Sequence, residues 1–306
     1  MLRAIVLLSF LTGCGGVVPD SPQACALQEL ARVKLELVRN WPIATVDLDG
    51  RPVRLVVDTG AQVTVLTEEA VRRLDIQTDW NRPSSLVGVG GALRIFHAKA
   101  GKIALAGATA EDIEFAITPA TFSYPGVAPI DGFLGGDVLS KFDVDIDLPN
   151  SRMTLYRARP CPSGTPPWTE PFTALTTPSV WGPLINRPYL PITLDGHTIE
   201  VMLDTGAQSS TMTAAIAYSV GVTAEALAAD RSGTTKGVVN GPKAVQAHRF
   251  STLTVGPETF HNPTLVVTER MDAGAAMLLG SDYLRTHRAW ISYASRKLFL
   301  GRLVRS

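Results

Sequence analysis

A net charge is the first thing this sequence lacks: 28 Lys and Arg offset 28 Asp and Glu among 306 residues. Without a global field the chain has no electrostatic pull on nucleic acid, which is therefore not an expected partner. Histidine is scarce, and His97, His197, His248, His261 and His287 stand apart from one another. With no H-E-x-x-H and no C-x-x-C, neither a metal nor a cofactor is expected. A serine-hydrolase elbow of the G-x-S-x-G type is missing too. The apolar run at residues 4–11 is too short to span a bilayer as a mature helix. What is present is apolar material, at 45% of residues against 18% charged. That balance argues for packed cores, and the length suits one large or two medium domains.

The chain repeats itself. Val56-Val57-Asp58-Thr59-Gly60-Ala61-Gln62 is matched 146 positions on by Met202-Leu203-Asp204-Thr205-Gly206-Ala207-Gln208. Upstream, each copy has an Asp-Gly pair, Asp49-Gly50 and Asp195-Gly196, whose glycine lies eight positions before the key aspartate. Asp-Gly between apolar runs predicts a two-residue hairpin whose second strand delivers the aspartate to a loop. Short helices are expected at residues 68–74, N-capped by Thr67, and at 213–219. Glycine-bearing segments follow, Gly88-Val89-Gly90-Gly91 and Gly237-Val238-Val239-Asn240-Gly241, each leading into strand-like sequence. Each half then ends alike, on Phe133-Leu134-Gly135-Gly136-Asp137 and Leu278-Leu279-Gly280-Ser281-Asp282, followed by paired strands. Asp137 and Asp282 are expected to cap the helices after those glycines. The alternating pairs Asp47/Asp49 and Asp145/Asp147 read as solvated strand faces. The tryptophans read as core or linker anchors, and Ser209 and Ser210 as local capping groups.

In this combination and order the motifs resemble the pepsin–retropepsin clan of aspartic peptidases, over roughly residues 40–157 and 186–303. Short lobes and loops ending in Ala61 and Ala207 look more like retropepsin subunits than pepsin lobes. The resemblance implies an all-β fold: two retropepsin-like β-barrel lobes related by a pseudo-two-fold, with the site between them, in one monomeric chain. It implies that Asp58 and Asp204 form a dyad sharing one proton and activating a water, because like charges so close cannot both ionise. Thr59 and Thr205 would bond across the lobes, and Gly60 and Gly206 would permit the tight loops. Leu134-Gly135 and Leu279-Gly280 would pass beneath those loops. Flaps are expected at residues 86–93 and 236–243, with Gly88, Val89, Gly90, Gly237, Val238 and Val239 against an extended peptide or protein substrate. The alternative is a peptide-binding or regulatory envelope protein that keeps the fold without turnover. A self-processing peptidase that matures its own tether is a second enzymatic reading.

The N-terminus divides separately. Arg3, the apolar run and Leu11-Thr12-Gly13-Cys14 resemble the lipobox of bacterial lipoproteins. This implies a signal at residues 1–13, a lipid anchor on Cys14, and a periplasm-facing location in the cell envelope, with Gly15 favouring the outer membrane. A tether is expected at 14–36, lobes at 37–157 and 186–306, and a Pro-rich linker at 158–185. An oxidising compartment would allow Cys25 and Cys161 to pair, which spacing alone does not decide.

Overall fold

A computed structural model of the protein describes residues 27–88, 91–159, 164–175, 186–235, 237, 242–271 and 275–302. Two lobes are built mainly of strands, and the repeat is visible element by element. In the N-terminal lobe Trp41–Leu48 pairs antiparallel with Arg51–Val57. In the C-terminal lobe Tyr189–Leu194 pairs with His197–Leu203. Both hairpins turn on the Asp-Gly pairs, with both turn residues at positive φ: Asp49 at 49° and Gly50 at 82°, Asp195 at 45° and Gly196 at 83°. That backbone twist matches the twist of the flanking strands, which is why Asp-Gly selects this turn. Each turn aspartate also fastens a neighbouring strand, Asp49 accepting from the Lys102 N–H at 2.8 Å and Asp195 from the Thr252 N–H at 2.6 Å.

The second strand of each hairpin runs parallel to the segment that closes its lobe. Arg51–Val57 lies beside Gly132–Leu134, and His197–Leu203 beside Met277–Leu279. The closing segment is flanked on its other side by a short antiparallel strand, Val65–Thr67 or Thr211–Thr213. Fully apolar segments suit this place, because they are buried between neighbours on both edges. Leu55, Leu66 and Leu134 meet Leu203, Met212 and Leu279 in a core cluster that extends through both lobes. The expected helices form at Glu68–Arg73 and Ala214–Ser219, N-capped by Thr67 and Thr213. A further helix, Ala224–Ala229 capped by Thr223, was not expected. No helix among the described residues is long and apolar enough to cross a membrane.

Six antiparallel strands join the halves, in the order Phe172–Leu175, Lys297–Arg302, His287–Ser292, Phe142–Asp147, Arg152–Arg157 and Glu29–Val38. Two expectations are corrected here. Glu29–Val38, placed in a tether, is a strand that pairs with both Arg152–Arg157 and Trp41–Leu48. Ala31, Val33 and Leu35 are buried on one side of it. Within the linker, Phe172–Leu175 adds to the opposite edge of the same sheet through Lys297–Arg302.

Asp145 and Asp147 do not face solvent, for both are 1% exposed. Asp145 receives both arms of the Arg288 guanidinium, at 2.8 and 2.6 Å, and the Trp168 indole N–H at 3.1 Å. Asp147 is held by Asn150 and by Arg152 at 2.6 Å. A strand in the middle of a joining sheet is covered on both faces, so its carboxylates survive only with such partners. Asp47 and Asp49 are exposed, as expected. Of the tryptophans, Trp41, Trp168 and Trp290 are buried anchors, whereas Trp80 is 60% exposed. Trp181 lies outside the described residues.

Candidate active site

Each key aspartate follows directly on its buried strand and is pinned there by its own backbone. The Asp58 N–H donates to the Leu134 carbonyl at 3.0 Å, and the Asp204 N–H to Leu279 at 2.9 Å. The loop then folds back on the side chain. One Asp58 oxygen accepts the N–H groups of Gly60 and Ala61, both at 2.9 Å. Asp204 accepts those of Gly206 and Ala207 at 2.8 and 3.0 Å. The two carboxyl groups hydrogen-bond each other across the lobe boundary.

The glycines are required by this approach. A Cβ on Gly60 would stand 2.4 Å from the Asp204 carboxyl carbon, and one on Gly206 would stand 2.3 Å from that of Asp58. Each loop therefore leaves the space that the opposite carboxyl fills. The threonines lock the two loops together. Thr59 N–H donates to Thr205 Oγ1 at 3.0 Å, and Thr205 N–H to Thr59 Oγ1 at 3.1 Å. Each hydroxyl then donates across the boundary, Thr59 to the Leu203 carbonyl at 2.7 Å and Thr205 to Val57 at 2.6 Å. Both threonines are fully buried, so the polar atoms of this network are satisfied within it.

Beneath the loops the closing glycines make a second tier. Thr64 Oγ1 accepts the Gly135 N–H and donates to Asp137 at 2.7 Å. Ser210 Oγ accepts the Gly280 N–H and donates to Asp282 at 2.8 Å. Asp137 and Asp282 were expected to cap their helices, but Gly135 and Gly280 hold the cap positions. The aspartates sit two residues further in and tie each helix to the segment after the key loop. A side chain could not replace either glycine, since a Cβ there would fall within 3 Å of the backbone of Val63 or Ser209.

Burial raises both carboxyls of the pair. For Asp58 burial is the leading cause, and the charge of Asp204 and its hydrogen bond push it well above the usual carboxylate range. Burial likewise raises Asp204, against lowering contributions from the hydrogen bond with Asp58, the loop N–H groups and the Arg187 charge. A carboxyl pair of this kind retains one proton where isolated carboxylates are ionised. It can therefore accept a proton on one side and donate one on the other.

The pair lies on the floor of a cleft of about 1160 Å³. Two hairpins overhang it, Thr78–Gly88 with Gly91–Leu105, and Arg231–Thr235 with Lys243–Arg249. Ser84, Leu86 and His97 line it from the first, and Thr234, Gly237 and Val245 from the second. Of the expected flap residues, Gly237 lines the cleft and Gly88 pairs with Gly91 at the first tip. Val89, Gly90, Val238 and Val239 lie outside the described residues, as do Cys14, Cys25 and Cys161.

Three further residues line the cleft that the motifs alone do not place there. Trp41 donates its indole N–H to the Gly206 carbonyl at 2.6 Å. Arg187 lines the cleft beside the pair. His97, isolated in sequence, bridges Ser84 Oγ at 2.7 Å and Glu114 at 3.0 Å on neighbouring strands. Comparing the two copies position by position would have found the first two, since Trp41 and Arg187 hold equivalent places in the repeat.

The family model described as aspartyl protease matches twice, over residues 44–138 and 190–283, together more than half of the chain. A search of curated proteins found no match. The matched stretches begin on the two hairpins and end beneath the two aspartate loops, and by them this chain belongs to the aspartyl protease family, with two retropepsin-like units on one polypeptide.

Proposed function

We propose that the protein is an aspartic endopeptidase that hydrolyses extended peptides with a water activated by Asp58 and Asp204. The observation that carries this reading is the mutual fit of the two loops, in which each carboxyl occupies the space left by the opposite glycine. In the working cycle the ionised carboxylate removes a proton from water, and the water oxygen bonds to the scissile carbonyl carbon. The protonated partner donates to the carbonyl oxygen. The tetrahedral adduct then collapses, a proton passes to the leaving nitrogen, and the C–N bond breaks. The two hairpins would hold the peptide as an added strand. Ala61 and Ala207 supply N–H groups but no hydroxyl to the carboxylates. A hydroxyl there would stabilise the ionised form, so its lack favours a working pH above that of strongly acid-adapted relatives.

We place this activity in a bacterial cell envelope, on a lipid carried by Cys14, from the lipobox-like sequence alone. Changing Cys14→Ser should release the protein from the membrane fraction, and a variant that stays membrane-bound would refute the anchor. The activity is tested by cleavage of a peptide library across pH 3 to 8 with the wild type, Asp58→Asn and Asp204→Asn. Cleavage abolished in both variants, with a wild-type optimum well above pH 3, is the expected result. Cleavage that survives either substitution would sink the dyad mechanism. Tight binding of a statine-type peptide with no cleavage would favour the silent peptide-binding protein.

A further inference from the structure

The hairpin that joins Glu29–Val38 to Trp41–Leu48 turns on two residues, Arg39 and Asn40, because Val38 pairs directly with Trp41. Both turn residues have positive φ, 49° and 71°. Such a turn favours Asn, Asp or Gly at its first place, and a long side chain there is uncommon. Local folding therefore does not account for an arginine at this position. The hairpin tip is docked on the other lobe. Trp41 donates to the Gly206 carbonyl, and Asn40 donates its side-chain amide to the Gln208 carbonyl at 3.0 Å. From Trp41 towards Arg39 the tip steps along the second key loop away from Asp204, and Arg39 lines the cleft to that side of the pair.

The Arg39 guanidinium lies over the Tyr124 ring, 4.8 Å from its centre. Tyr124 stands edge-on to Trp41 at 6.1 Å, and Trp41 in turn to Phe122 and Phe133 at 5.8 and 5.5 Å. This aromatic wall supports the cation with a ring face but gives it no carboxylate. Arg39 is exposed, and its side chain makes no hydrogen bond or ion pair among the described residues. The other charged groups of the cleft differ. Glu114 is paired with His97, Asp137 is bonded to Thr64, and Arg187 is engaged in an interaction of its own. Lys141 follows the helix whose Gly136 N–H donates to Ala61, and so stands by the first loop rather than the second. Asp112 lies on Ala108–Thr118, the strand that carries Glu114.

We propose that Arg39 is a specificity-determining residue of the cleft, binding a carboxylate of the peptide substrate at a position that flanks the scissile bond. A guanidinium presents a planar fork of N–H donors that matches a carboxylate through two parallel hydrogen bonds. Held over Tyr124, the fork is oriented before the peptide arrives, so less freedom is lost on binding. The substrates are then acidic peptides, with the carboxylate supplied by a Glu or Asp side chain or by the peptide's own C-terminus. The repeat adds a direction. The place that matches Arg39 in the second copy, 146 positions on, is Ile185, so the acid preference belongs to one side of the scissile bond alone. The inference rests on the peptidase reading in taking a peptide as the occupant of the cleft.

The test is equilibrium binding of statine-type peptides to the full chain. The peptides carry Glu, Gln or Lys at each position in turn on either side of the statine, and end in a free or an amidated C-terminus. Wild type is expected to bind Glu about tenfold more tightly than Gln at one position, on one side only. Arg39→Asn, a residue that the turn favours, should keep or raise the unfolding midpoint and abolish that preference. Arg39→Glu should turn it towards Lys at the same position, a reversal that a purely structural role would not produce. A preference for the free over the amidated C-terminus that is lost in Arg39→Asn would also support the proposal, and would make the chain end the source of the carboxylate. An acid preference that survives Arg39→Asn would overturn it. So would equal binding of Glu and Gln at every position together with equal binding of the two kinds of C-terminus. Incubation of the same sequences with an ordinary peptide bond in place of the statine reads the peptidase proposal separately. An Arg39-dependent acid preference without cleavage would leave the Arg39 assignment standing and count against turnover.

Discussion

At the scale of single residues, the site separates two uses of glycine that a sequence alone does not tell apart. Gly196 has φ of 83° and open space where a Cβ would go, so its requirement is conformational. Gly206 has no such angle, but its missing Cβ is the space that holds the Asp58 carboxyl. The consequences of substitution differ accordingly. Gly196→Ala should cost about 1–2 kcal/mol of stability from the left-handed backbone and leave peptide cleavage intact. Gly206→Ala must push Asp58 or the loop aside, and a shift of about 1 Å at a reacting group can cost on the order of a hundredfold in rate. Measured together, kcat/KM and the unfolding midpoint should move in opposite patterns for the two variants. Full activity in Gly206→Ala would show that the carboxyls need not approach as closely as the structure places them. The same scale explains why the threonine hydroxyls are buried at little cost. Each donates to a carbonyl and accepts an N–H, and no polar atom of the pair is left to water.

At the scale of elements, legibility followed the range of the interaction that decides each feature. The Asp-Gly hairpins and the Thr67 helix cap are local, set by turn geometry and one side-chain hydrogen bond, and could be read directly. The helix at Ala224–Ala229 was equally local, with Thr223 before an Ala-rich run, and the signal was there to be used. The strand Glu29–Val38 also carries a local signature, Ala31, Val33 and Leu35 alternating with Arg32, Lys34 and Glu36. Its proximity to the apparent tether masked that alternation. Phe142–Asp147 is different. Its alternating aspartates imitate a solvated face, and nothing within the segment says that both faces are covered. The partners that make burial tolerable, Arg288 and Trp168, lie on the opposite half of the repeat and in the linker. The same distance in sequence hid His97, whose partners Ser84 and Glu114 meet it only through strand pairing. The dyad escaped this limit because duplication wrote its two long-range halves as one repeated local motif.

At the scale of the whole molecule, the lobes are held together by a sheet whose middle is unusually rich in buried carboxyls. Asp143, Asp145 and Asp147 lie on the strand that meets His287–Ser292 of the other half. Asp145 is compensated by Arg288, whereas no cation pairs with Asp143 among the described residues. It is served by the Ser292 hydroxyl and the N–H groups of Ala294 and Tyr293, and burial pushes it up to about 6. One of its oxygens has no hydrogen-bond partner among the described residues. An ordinary aspartate loses its proton near pH 4. Between there and about pH 6 the folded chain therefore holds a proton that the unfolded chain has released, and stability falls as pH rises through this window. The full gap of about 2 pH units is worth on the order of 3 kcal/mol. Burial raises Asp58, Asp137, Asp145 and Asp204 in the same direction, so the stability that each contributes also falls as pH rises through its window. Asp143 can be isolated from them by difference. Asp143→Asn should match the wild type in unfolding free energy near pH 3.5, then gain on it steadily up to about pH 6, and hold a constant advantage of about 1–3 kcal/mol above that. Denaturant titrations of both proteins at closely spaced pH values measure this difference. A difference that stays level from pH 3.5 to 7 would mean that Asp143 ionises as readily in the joining sheet as in the unfolded chain.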